Sequence, residues 1–167
     1  MKQQRKFENN KLIAFTYIGQ RSLYFGLIII TFLIMFIGKA DLAIIDKRRP
    51  RAGQSKVMNI IGDVKGKTCI IVDDIIDSGG TIVNAVEALK KAGAVDVYVF
   101  ITHAVLSGTA IDKIKKSKIK KLIITDTIDN SKKIKNNNKI EVLSISSLMA
   151  EAIKRIANSN SVSDLFN

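Results

Sequence analysis

The stretch from Thr68 to Gly93 constrains the fold more than any other part of the chain. Thr68-Cys69-Ile70-Ile71-Val72 is apolar without alternation, as expected of a strand covered on both faces of a parallel sheet. It runs into Asp73 and Asp74, then Ile75-Ile76-Asp77-Ser78-Gly79-Gly80. Thr81 to Ala92 follows with apolar residues at Ile82, Val83, Ala85, Val86 and Leu89, the spacing of one helix face, and Gly93 supplies a stop. Strand, acidic pair, glycine turn and helix in that order place a turn at the carboxyl edge of a sheet, where open α/β sheets bind ligands. Successive amides of such a turn, backed by a helix N-terminus, form a nest for a phosphate dianion. Gly79 and Gly80 allow close approach, Ser78 and Thr81 add hydroxyls, and Asp73 and Asp74 are placed to accept hydrogen bonds from sugar hydroxyls. The plainer reading makes the aspartates a strand end and a helix cap. Three aspartates, two glycines and two hydroxyl residues in this setting favour a phosphate–sugar site.

Around this unit, short apolar runs alternate with amphipathic stretches, which predicts an α/β domain with a mostly parallel sheet. Strands are expected at Leu42–Ile45, Val57–Ile61 (the return arm of a hairpin), Asp96–Ile101, Leu122–Thr125 and Ile140–Leu143. Helices are expected at Ser107–Lys116 and Ser146–Ala157, with Asp129–Lys139 as a loop. Asp46 to Lys56 is a cationic loop holding the only proline, Pro50.

Composition breaks near Gly38, so residues 1–39 are expected to be a leader distinct from a domain over 40–167. From Ser22 to Ile37 the leader carries no charge, and Lys2, Arg5, Lys11 and Arg21 precede it. One reading is a short membrane span with the N-terminus in the cytoplasm. The others are a buried core helix and a sequence never selected to fold. The formal net charge of +12 calls for an anionic partner or a solvated basic surface. The lysines of the second half have almost no aromatics among them on which bases could stack, which argues against nucleic acid. A single Cys69 excludes an intrachain disulfide.

The string Val72 to Thr81 resembles the phosphoribosyl-pyrophosphate signature of the type I phosphoribosyltransferase fold. Its neighbours narrow the likeness. Asp41-Leu-Ala-Ile-Ile-Asp-Lys-Arg-Arg-Pro50, Val57-Met-Asn-Ile-Ile-Gly-Asp63, Thr102-His103 with Leu106-Ser107-Gly108, Thr125-Asp126-Thr127-Ile128 and Ser161-Val-Ser-Asp-Leu-Phe166 resemble the C-terminal half of the ribose-phosphate pyrophosphokinase family. The resemblance runs from about Ala40 to Phe166. It implies a type I phosphoribosyltransferase-like domain, cytoplasmic and oligomeric with synthetase subunits. The implied reaction transfers the β,γ-diphosphoryl group of ATP to ribose 5-phosphate, with Mg2+. It also implies that Lys47 and Arg49 close over the triphosphate as the catalytic cations. Asp77, Ser78, Gly79, Gly80 and Thr81 would hold the 5-phosphate, Asp73 and Asp74 the ribose hydroxyls, and His103 would be structural.

The sequence departs from that family pattern at Gly53, Lys56 and Ala104, where Asn, Glu and Pro are common. The Asp-Gly-Gly segment expected before Ala40 is replaced by the apolar leader, and with it goes a metal contact, so no metal ligand is assigned. Three readings remain open: an enzyme half that needs a complementary ATP-binding half, a non-catalytic associate of synthetase subunits, and the remnant of a decayed gene.

Overall fold

The computed structural model describes residues 11–17, 41–48, 57–135 and 137–165. Seven strands form one sheet: β1 (Lys11–Tyr17), β2 (Asp41–Arg48), β3 (Val57–Ile61), β4 (Thr68–Ile76), β5 (Asp96–Ala104), β6 (Lys121–Thr125) and β7 (Ile140–Leu143). Their order across the sheet is β3-β2-β1-β4-β5-β6-β7. All neighbours run parallel except the edge strand β3, which returns antiparallel along β2 with Lys47 opposite Met58. The helices are α1 (Gly80–Lys91), α2 (Ala110–Lys116), α3 (Ser131–Ile134) and α4 (Ser146–Ala157), and a 3-10 turn spans Ser163–Leu165. This is the α/β, mostly parallel architecture expected from the sequence.

Three expectations need adjustment. β2 continues through residues 46–48, the start of the segment read as a cationic loop. The short helix α3 interrupts the segment read as a loop, and α2 begins three residues later than its apolar pattern suggested. The larger surprise is β1. It falls within the residues set apart as a leader, yet it lies between β2 and β4, with Ala14 opposite both Ala43 and Ile71.

The register sorts strand residues onto two faces, because successive side chains alternate. On one face Ala43, Ile45, Cys69, Ile71, Val97, Val99, Leu122 and Ile124 are almost wholly removed from water. Helix α1 packs Ile82, Ala85, Val86 and Leu89 against this layer, and α2 adds Ala110 and Ile114. Each large aliphatic side chain buried here contributes about 1.5–3 kcal/mol. The other face, through Leu42, Ile44, Ile70, Val72, Tyr98 and Phe100, is apolar as well but only half-buried or exposed.

Helix α1 stops where the sequence said it would. Gly93 adopts φ +97, its amide donates to Lys90 O (3.2 Å) and the next amide, of Ala94, donates to Leu89 O (3.0 Å). This paired bond pattern needs a left-handed residue, which glycine adopts without a Cβ penalty.

Several lysines read as solvated charge instead hold the backbone. Lys139 donates to Lys115 O (2.9 Å) and Ser117 O (2.6 Å), Lys133 to Val105 O (3.1 Å), Lys121 to Asn138 O (3.0 Å), and Lys90 to Val95 O. Ahead of β4, Lys67 bonds Asp41 at 2.7 Å, and that hydrogen bond raises its pKa.

Candidate sugar-phosphate site

β4 runs past Val72 to Ile76, so Asp73 and Asp74 are strand residues at the carboxyl edge of the sheet. Being consecutive, they project to opposite faces. Asp73 has the register of the α1 face, opposite Ile101, and its Oδ1 accepts the amide of Asp74 at 2.9 Å. The two carboxylates expected to act as a pair are therefore not equivalent.

Asp77 and Ser78 are exposed and form the turn out of β4. Gly79 is buried, adopts φ +73 and stands at the N-cap of α1, where no side chain makes a capping bond; the first turn holds no acidic residue either. The first α-helical bond beyond it is Val83 N–H to Gly79 O at 3.0 Å. First-turn amides of a helix have no acceptor within the helix, and the helix dipole makes such an end favourable for an anion. Gly80 and Thr81 open this turn. A Cβ on Gly80 would meet nothing nearer than Ser78 Oγ at 4.0 Å.

What fixes the turn is a run of bonded carbonyls. Ile76 O accepts from Val105 N–H (2.9 Å) and Leu106 N–H (3.3 Å), and Asp77 O from Ser107 N–H (3.2 Å). Ser78 O accepts from the Lys113 ammonium of α2 (3.1 Å). Across a planar trans peptide the N–H opposes the C=O. With no cis bonds among the described residues, the amides of Asp77, Ser78 and Gly79 point away from the 105–113 segment. Leu106, 2% exposed, has φ +53, a left-handed conformation rare for leucine that places three consecutive amides along this turn. Neither Lys113 nor Leu106 was recognisable from the sequence, since each acts through backbone contacts between distant segments.

Beside the turn, β5 and β6 contribute a hydroxyl cluster. Thr125 and Thr127 both donate to Thr102 O (2.6 and 2.9 Å), and His103 Nδ1 meets Thr127 Oγ1 at 3.1 Å. Asp126 accepts Ile145 N–H at 2.9 Å. The Ser144 hydroxyl and then that amide hold its carboxyl below the usual range. A shallow depression of about 110 Å³ reaches Asp73, Thr102 and Thr125, but its lining is mostly apolar, including Val72, Phe100, Ile123 and Leu143. A larger cavity, about 300 Å³, lies against α4 and the 3-10 turn. Its charges are already paired, Arg155 with Glu151 (3.0 Å) and Asp164 (3.7 Å), so it is a poorer candidate for a substrate.

Of the expected site residues, Asp73, Asp74, Asp77, Ser78, Gly79, Gly80 and Thr81 form one continuous segment. Lys47 lies near the end of β2 at the same carboxyl edge, separated from β4 by β1. Arg49 lies outside the described residues, as does the uncharged run Ser22–Ile37. Among the described residues no cluster of three or more His, Cys, Asp or Glu could hold a metal ion, and no helix is long and apolar enough to cross a membrane.

A parallel sheet with a helix N-terminus and an amide-lined turn at its carboxyl edge defines the class: an α/β fold of the phosphoribosyltransferase type. The comparisons with known proteins then specify the family. The phosphoribosyl synthetase-associated domain family matches residues 43–167, and the chain belongs to it. It is 53% identical over 131 residues to a ribose-phosphate pyrophosphokinase of Vibrio parahaemolyticus, covering 78% of this chain and 42% of that protein. It is 57% identical over 128 residues to that of Hyphomonas neptunium, covering 77% and 41%. The crystal structure of phosphoribosylpyrophosphate synthetase from Mycobacterium smegmatis superposes with a TM-score of 0.76 at 30% identity, over 95% of this chain and 49% of that one. The chain thus spans about two-fifths of the length of the curated relatives it matches.

Proposed function

We propose that this chain binds ribose 5-phosphate and supplies the sugar-phosphate side of a ribose-phosphate diphosphokinase reaction in the cytoplasm. In that reaction the anomeric hydroxyl oxygen forms a bond to the β-phosphorus of ATP and gives up its proton to solvent, the bond between the β-phosphorus and the oxygen bridging it to the α-phosphorus breaks, and AMP leaves with that oxygen. The observation that carries the reading is the set of three successive bonded carbonyls, Ile76, Asp77 and Ser78, behind an N-terminus of α1 that no side chain caps. A dianion cradled by the turn would receive its amides and the hydroxyls of Ser78 and Thr81. Asp73 and Asp74 would accept from the ribose hydroxyls.

Lys47 and Arg49 would act as the catalytic cations, neutralising charge on the transferring group. Mg2+ belongs to the family's reaction. The described residues do not compose a protein cage for it. ATP would come with a complementary half or a synthetase subunit, in a homo- or hetero-oligomer; nucleic acid has no part in this reading. The test is an assay of phosphoribosyl pyrophosphate formation by the full chain mixed with an intact synthetase subunit whose own Lys-Arg-Arg-Pro loop is disabled. Activity restored by the wild-type chain and not by its Lys47→Ala variant supports the reading; equal restoration by both removes Lys47 from it.

A further inference from the structure

Helix α4 turns its apolar side outward and its charged side inward. An amphipathic helix ordinarily does the reverse, with its apolar stripe on the core and its charges in solvent. Along Ser146–Ala157 the apolar residues Met149, Ile153 and Ile156 recur at i, i+4 and i+7, with Leu148 beside them, and all four are exposed, Ile153 by 61% and Ile156 by 66%. The half-buried residues of α4 are instead Glu151, Ala152 and Arg155. That side is taken by the tail that follows the helix. Arg155 Nη1 donates to Ser161 O at 3.0 Å and lies 3.7 Å from Asp164, while Arg155 Nε pairs with Glu151 at 3.0 Å. No residue of α4 is buried. The strand before it, β7, is the last in the sheet and leaves Val142 and Leu143 exposed as well. Large apolar side chains exposed together on one helix face mark an interaction site.

The spacing is that of a helix laid into an apolar groove of a partner. A lipid surface would ask for free cations along the polar side, whereas Arg155 is turned to Glu151 and Asp164, and Lys154 stands 3.8 Å from Glu151. A second copy would bring together two chains of formal net charge +12, which like-charge repulsion opposes. The occupant that fits is the part of a synthetase subunit that the matched stretch does not include. That stretch makes up 42% and 41% of the Vibrio parahaemolyticus and Hyphomonas neptunium proteins, so more than half of each lies outside it. The position suits such a partner. Asp126, between the Thr125 and Thr127 hydroxyls at the carboxyl edge of the sheet, accepts the amide of Ile145, the N-cap of α4, at 2.9 Å. The helix therefore starts from the edge that carries the candidate sugar-phosphate turn.

We infer that the face of α4 formed by Leu148, Met149, Ile153 and Ile156 is the surface on which the complementary, ATP-supplying half of a synthetase subunit docks; this rests on the reading of the chain as the sugar-phosphate side of the reaction. The test co-expresses the full chain, tagged, with the Vibrio parahaemolyticus ribose-phosphate pyrophosphokinase, either whole or without its 131 matched residues, and measures how much is captured with the tag. Met149→Glu and Ile153→Glu should each lower capture at least tenfold. Ser147→Glu, which adds the same charge on the polar side, should not. All three positions are exposed, so thermal midpoints should stay close to that of the wild type. No capture of either form by the wild-type chain, or capture unaffected by both apolar-face glutamates, would overturn the inference. So would a wild-type dimer that Ile153→Glu dissociates in sedimentation, which means a second copy fills the face, or flotation with phosphatidylcholine–phosphatidylglycerol vesicles, which means lipid does. Titration with ribose 5-phosphate separates the two claims. Capture lost in variants that still bind the sugar phosphate upholds the docking face, and glutamate-sensitive capture by a chain that binds no sugar phosphate upholds the face while removing the reading of the turn.

Discussion

Lys113 on α2 donates its ammonium to the carbonyl of Ser78, 3.1 Å away, and so fixes the last of the three carbonyls behind the amide cradle. The contact spans two separate crossovers of the fold. It also brings a positive charge to the back of a turn that is to receive a phosphate dianion. Removing it in Lys113→Met frees the Ser78 peptide to rotate. A hydrogen bond from a charged donor contributes about 1.5 kcal/mol at the low end appropriate to an exposed side chain. Affinity for ribose 5-phosphate is expected to fall about tenfold while the thermal midpoint changes little. Lys113→Arg should retain most of the binding, measured in the same titration.

Gly79 and Gly80 are adjacent but should fail in different ways. Gly79 holds φ +73, so Gly79→Ala introduces left-handed strain of about 1 kcal/mol and should lower the thermal midpoint by several degrees. Gly80 is helical, with open space where its Cβ would be. Gly80→Val should leave the midpoint within about two degrees and abolish ribose 5-phosphate binding, because the branched side chain would occupy the phosphate position. Differential scanning fluorimetry with and without ligand separates the two effects.

Stability should decline at both ends of the pH scale. Asp126 is held below its ordinary value of 3.8 by Ser144 and Ile145, and Asp129 by Ser131. Their ionised forms are favoured in the folded state, so their contribution is present above 3.8 and is lost as pH falls through the lower folded values. Burial pushes Cys69 from 9.0 up to about 11. Its neutral thiol is favoured on folding, so that contribution is complete below 9 and is lost between about 9 and 11. Urea midpoints measured from pH 2 to 11 check both limbs, and Cys69→Ala should flatten only the alkaline one.

The sheet and the turn at its carboxyl edge were legible where one local pattern dictated the structure. Thr68–Val72 could be read as a buried strand, Thr81–Ala92 as a helix stopped by Gly93, and Val57–Ile61 as the return arm against β2. β1 was not legible. Lys11–Tyr17 is short, and the uncharged run that follows at Ser22 dominates any reading of composition nearby. Its identity as a strand comes from pairing with β2 and β4, segments that lie far along the chain. The inequality of Asp73 and Asp74 was hidden for a related reason, since it depends on β4 continuing beyond Val72. Lys113 stood among many lysines, and only the approach of α2 to the turn distinguishes it.

The central claim is that the turn from Asp77 to Thr81 holds a sugar phosphate, and isothermal titration of the full chain with ribose 5-phosphate tests it most directly. The account predicts saturable 1:1 binding without ATP, competed by inorganic phosphate and lost in Gly80→Val. A folded wild-type chain that shows no heat of binding, or a Gly80→Val variant that binds as well as wild type, would contradict it.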